Sequence, residues 1–107
     1  MLIALAYLFS NRHDESLYVS KRIVKLDVNH YDAYHLIIRM LFEKGEFHET
    51  VSWVNQWMEI SPNNLHAYEF RAIVFKELAR IAEPPRDIYY RSRALQDEEM
   101  VLRLGNR

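Results

Sequence analysis

The stretch Tyr34-His35-Leu36-Ile37-Ile38-Arg39-Met40-Leu41-Phe42-Glu43-Lys44-Gly45-Glu46-Phe47 decides how this chain folds. Tyr34, Ile37, Ile38 and Leu41 recur three and four residues apart, the spacing of one face of an α-helix. Gly45 stands where that helix must end, because a glycine takes the left-handed conformation at little cost. Phe47 reopens an apolar pattern that runs to Ile60, and Ser61-Pro62-Asn63-Asn64 breaks it in turn. Pro62 cannot donate the next helical hydrogen bond, and asparagine suits turns and caps. The stretch is therefore one helix, a tight turn and a second helix.

Outward from this pair, the chain repeats itself at an offset of 34 residues. Residues 1 to 34 lie over 35 to 68 without a gap. Leu2-Ile3 falls on Leu36-Ile37, Glu15 on Glu49, Asn29 on Asn63 and Ala33-Tyr34 on Ala67-Tyr68, six identities in all. Conservative matches keep the same helical spacing: Leu8 with Phe42, Ser16 with Thr50, Leu17 with Val51, Val24 with Met58, Leu26 with Ile60. A fixed period of this size is the mark of stacked supersecondary units. Asn11 to Asp14 and Asp27 to His30 break the first unit as Lys44 to Glu46 and Ser61 to Asn64 break the second. Helices are expected over 2–10, 14–27, 31–44, 47–60, 65–81 and 86–103. The fold class is all-α, an α-α superhelix of about six helices in antiparallel hairpins.

The series Tyr34…Ile37-Ile38…Leu41…Gly45…Phe47…Thr50…Val54…Ile60…Pro62 resembles the tetratricopeptide repeat family, whose unit is likewise a 34-residue pair of antiparallel helices. The resemblance covers two and a half to three repeats, over about 1–30, 31–64 and 65–103, in a single domain 1–107. Ile38 and Thr50 stand where the family prefers small residues, and Trp57 where it has alanine. The third unit opens with Ala67-Tyr68, Ala72 and Phe75 and departs from the pattern at Glu83-Pro84-Pro85. The last helix, with Ile88, Leu95 and Leu102 every seven residues, is expected to close the stack as its polar cap.

Composition narrows the function. Among 107 residues half are apolar and only two are glycine and three proline, which argues for long helices over a sandwich or a disordered tail. Fourteen Lys and Arg against fifteen Asp and Glu leave no global field to draw the chain to nucleic acid or an anionic membrane. The absence of cysteine excludes disulfides and thiolate metal sites and fits a reducing compartment, so a cytoplasmic address is expected. Met1 to Phe9 is apolar, but it carries no basic leader and is too short to span a bilayer.

The resemblance implies a concave groove lined by the outward face of each first helix. By register those positions are Leu5 and Phe9 in the first unit, Asp32, His35, Arg39 and Glu43 in the second, and His66, Glu69, Ile73 and Glu77 in the third. Such a groove is apolar at one end and charged at the other, and would hold a polypeptide with hydrophobic anchors in one direction. The same charges also fit a plain solvated face. The carboxylate clamp of some family members needs Lys and Asn at places that here hold Met1, Leu5, Leu36, His66 and Phe70, so no such clamp is expected. Leu2, Leu5, Tyr7, Leu8 and Phe9 form an apolar end patch. Either a second chain, in a homo- or hetero-oligomer, or further sequence of the same protein is expected to cover it, or it folds inward on the first hairpin.

No catalytic residue is expected. His48-Glu49 lacks the second histidine of a helical zinc motif, and there is no glycine-rich phosphate loop or nucleophile motif. Asp32 and His35 beside His66 and Glu69 could bind a divalent metal or simply line the groove; no metal and no cofactor is assigned. Tyr89-Tyr90-Arg91-Ser92-Arg93 resembles an RNA surface but is offset by Asp97-Glu98-Glu99. The expected function is protein binding: a small chaperone or adaptor, similar in size to three-repeat chaperones of bacterial secretion systems. The alternative is a structural repeat segment of a larger protein or assembly.

Overall fold

The computed structural model of the protein describes residues 13–105. These form five helices and no strand: α1 His13–Leu26, α2 Tyr31–Glu43, α3 Phe47–Ile60, α4 Leu65–Ile81 and α5 Arg86–Gly105. Each bound lies within two residues of the expectation from sequence. The helix expected over 2–10 falls outside the described residues. None of the described helices is long and apolar enough to cross a membrane.

Local chemistry sets the helix ends. The turn before α2 is closed by the Asp27 carboxylate, which accepts from Asn29 N–H at 3.1 Å, and by His30, whose Nδ1 accepts from Ala33 N–H at 3.2 Å as the N-cap. Asn64 caps α4 in the same way, its Oδ1 accepting from His66 N–H at 3.1 Å and Ala67 N–H at 3.3 Å. At the end of α2, Glu46 N–H reaches Leu41 O and Gly45 N–H reaches Phe42 O, both at 3.0 Å, with Gly45 at φ 79°. That paired pattern satisfies two orphan carbonyls and needs a left-handed residue at its centre.

Contacts divide the chain at Trp53/Val54 into two compact units, where the sequence suggests one domain. In the first, α1 and α2 form an antiparallel hairpin, and Lys44 Nζ at the end of α2 meets Asp14 Oδ1 at the start of α1 at 2.8 Å. That hydrogen-bonded carboxylate raises the lysine's pKa above its usual value. Residues 47–53 of α3 pack alongside, with Tyr34 and Trp53 rings 6.2 Å apart, Phe42 and Phe47 at 5.5 Å, and Lys21 pairing Glu49 at 3.2 Å. The core is Leu17 and Val24 of α1 with Ala33, Tyr34, Leu36, Ile37, Ile38, Met40 and Leu41 of α2. Burial pushes the Tyr34 phenol above its ordinary pKa.

The second unit is the end of α3 with the α4/α5 hairpin. Its core is Val54 and Trp57 of α3, Ala67, Ala72, Val74, Phe75, Leu78 and Ala79 of α4, and Ala94 of α5. Ile38, Thr50 and Trp57 are all buried, and Thr50 Oγ1 donates to Glu46 O at 2.6 Å.

Candidate polypeptide-docking surface

On α2 the core residues leave one outward stripe, Asp32, His35, Arg39 and Glu43, as the helical spacing predicts. Asp32, Arg39 and Glu43 are exposed and His35 half-buried. Arg39 Nε pairs with Glu43 Oε1 at 3.3 Å along the helix. An exposed pair of this kind leaves both groups hydrated and adds little to stability.

On α4 the corresponding residues diverge. His66 is exposed at the helix start, and Glu77 Oε2 accepts from Arg80 Nε at 3.0 Å and Nη2 at 2.9 Å. Glu69 and Ile73 instead turn toward α5. Together with Ala72 and Lys76 of α4 and Glu98, Val101 and Leu102 of α5 they line an open cleft of about 390 Å³. Ile73 is 48% exposed and Leu102 66% exposed, so two apolar side chains stand in water on either side of a groove between helices. Lys76 Nζ meets Glu98 Oε1 at 2.7 Å across it. A second shallow cleft, lined by Lys76, Arg91, Ala94, Leu95 and Glu98, continues the same face toward the start of α5.

The face that α5 turns to α4 is not the apolar stripe. Ala94 and Asp97 are its buried residues, with Tyr90, Arg93 and Val101 partly covered beside them. Arg71 of α4 holds Asp97 by a two-pronged ion pair, Nε to Oδ2 at 2.9 Å and Nη2 to Oδ1 at 2.7 Å, and Nη1 reaches Asn55 Oδ1 at 2.8 Å. The Arg71 guanidinium lies 5.6 Å from the Tyr68 ring centre and 6.0 Å from that of Phe75, which also stacks on Tyr90 at 6.2 Å. A bidentate arginine fixes direction as well as distance. With Asp97 held inward, Ile88, Leu95 and Leu102 stand exposed, at 65%, 61% and 66%, with Leu95 and Leu102 on the walls of the clefts beside α4. The outer side of α5 is polar at Arg86, Arg91, Ser92, Gln96, Glu99 and Arg103, as expected of a cap, and Ile88, Leu95 and Leu102 stand among them as an exposed apolar stripe while Asp97 takes an inner position.

Among the ten expected groove residues, Glu69 and Ile73 join a cleft and Leu5 and Phe9 lie outside the described residues, as do Leu2, Tyr7 and Leu8 of the end patch. Among the described residues no group of three or more His, Cys, Asp or Glu is placed to hold a metal ion. Lys76, Glu98, Val101 and Leu102 were not singled out as lining residues from sequence; the seven-residue recurrence through Leu102 was their available signal. No protein-family model matches the chain, and no curated protein matches it in sequence.

Proposed function

We propose that this protein is a polypeptide-binding module, built of tetratricopeptide-like helix pairs and acting in the cytosol, that takes up an amphipathic helix on the α4/α5 face. The observation that carries this is the cleft between α4 and α5, with Ile73 and Leu102 exposed on its walls. An apolar groove between two helices is the usual receptor for a helix whose anchors recur three and four apart. The Lys76–Glu98 pair across it offers both signs of charge to orient the incoming helix. The 34-residue repetition and the absence of any nucleophile or acid–base motif favour binding over catalysis. The outward stripe of α2, Asp32 to Glu43, serves as a second, polar contact surface.

A photo-reactive side chain in place of Ile73, compared with one in place of the exposed Glu59, tests this in cells. Cross-linking to polypeptide at position 73 well above that at 59 is expected, and the captured segment, once made as a pure peptide, should bind at least about tenfold more weakly to Ile73→Glu. Equal capture at the two positions would remove the α4/α5 face as the docking surface.

A further inference from the structure

We infer that the helix docked on the α4/α5 face is α5 of a second copy of this chain, lying antiparallel about Leu95. The inference rests on the docking role proposed above and names its occupant. Ile88, Leu95 and Leu102 form a straight outward stripe, each more than 60% exposed, that runs about 21 Å along the helix at 1.5 Å per residue. Two such stripes facing each other bury their apolar side chains together.

Charge says which way the second copy runs. Arg91, four residues before Leu95, and Glu98, three residues after it, flank the stripe on one side, where helix geometry puts them above one another. Ser92 and Glu99 flank the other side. Turning one copy end for end about Leu95 sets Ile88 against Leu102, Leu95 against Leu95, Arg91 against Glu98, and Ser92 against Glu99. Every pair is then apolar with apolar, opposite in charge, or neutral with charged. A parallel pair exchanges the two flanks and would set Arg91 on Ser92 and Glu98 on Glu99, leaving the arginine unmatched and two glutamates opposed, so like charges oppose it. The present partners of these groups do not forbid the exchange: Arg91 meets Asp87 at 3.5 Å with 69% of its side chain exposed, and Glu98 is 42% exposed beside Lys76. Two-fold symmetry makes each such contact twice, which is how a small patch becomes an isologous interface. Ile73 and Lys76 of α4, on the rim of the cleft, border the incoming helix.

The chain contains no cysteine, so single cysteines report the pairing directly. Sedimentation equilibrium of the full chain is expected to pass from one chain mass to two over roughly 1–100 µM, the range of a small interface. Leu95→Glu should stay at one chain mass throughout while keeping the helical circular dichroism of the dilute parent, because Leu95 stands outside the core. Under mild oxidation a mixture of Ile88→Cys and Leu102→Cys chains should cross-link to each other, and each variant alone far less. One chain mass at every concentration overturns the inference, as does a Leu95→Glu dimer or Ile88→Cys linking to itself as readily as to Leu102→Cys. If the chain stays single while position 73 still captures another polypeptide, self-pairing falls and the docking role stands; if neither occurs, both fall.

Discussion

Helices α2 and α5 put opposite faces to water. In α2, seven of thirteen residues are buried and what remains outside is a polar stripe, Asp32, His35, Arg39 and Glu43. In α5, Ala94 and Asp97 are buried among twenty residues, and three large aliphatic side chains stand outside. Their anchors differ accordingly. Apolar packing holds α2, where Ile37, Ile38 and Met40 are fully covered, whereas α5 is held by a buried ion pair, a stacked tyrosine and one alanine that permits close approach. The contrast teaches that an apolar stripe with helical spacing need not face the core of its own chain. In α2 the covering atoms come from the same molecule; for α5 we assign them to a second.

The strongest way to break the comparison is at the α5 anchor. Asp97→Ala leaves the Arg71 guanidinium, 15% exposed, with only Asn55 and ring faces as partners, and should cost about 4 kcal/mol in urea denaturation. Replacing both, Arg71→Met with Asp97→Leu, should recover most of that loss, since burying an ion pair gains little over apolar contact. A loss no larger than that of an exposed pair would show that the network does not hold α5.

Next comes the contrast between inner and outer aliphatic residues. Ile37→Ala, at a fully buried site, should destabilise by about 3 kcal/mol through lost transfer energy and the cavity left behind. Ile88→Ala, measured on the dilute single chain, should change stability by less than about 0.5 kcal/mol. Similar losses at the two would mean that α5 is packed as α2 is, and that its stripe is not free.

A smaller effect is expected where α2 stops. A Cβ at Gly45 would meet nothing within 4 Å, so Gly45→Ala should be penalised for its left-handed backbone alone. That is about 1–2 kcal/mol, read as a lowered melting temperature. A neutral result would place the stop in the side chains around the turn instead.

The least effect is confined to alkali and to the α1/α2 hairpin. Burial raises the Tyr34 pKa above 10.0 and the Asp14 contact raises that of Lys44 above 10.5. A raised folded-state pKa stabilises below the unfolded value and is lost as pH climbs through the folded one. Stability should therefore decline above about pH 10, and Tyr34→Phe should flatten the tyrosine part of that slope and leave the lysine part. Parent and variant with parallel urea midpoints from pH 8 to 11 would show that Tyr34 does not contribute.

The helix boundaries were open to reading because their causes are local. Gly45, Pro62, Asn64 and the Asp27–His30 turn each act within a few residues of themselves, and the helices begin and end where those residues stand. His30 as a cap was not foreseen, since an imidazole nitrogen takes the place usually held by a short oxygen side chain. The inner face of α2 was equally plain, because four apolar residues at helical spacing left no competing choice.

For α5 the sequence showed the seven-residue recurrence of Ile88, Leu95 and Leu102 but not which face meets α4. Packing put Tyr90, Ala94, Asp97 and Val101 on that face. An arginine twenty-six residues away on α4, with Asn55 behind it and two aromatic rings beside it, makes a carboxylate at 97 more favourable inside than out. Periodicity along one helix holds no information about that arginine's position in space. So the length and order of the helices follow from neighbours along the chain, while the rotation of α5 about its axis, and with it the exposure of Ile88, Leu95 and Leu102, follows from a charge pair that exists only once α4 and α5 have met.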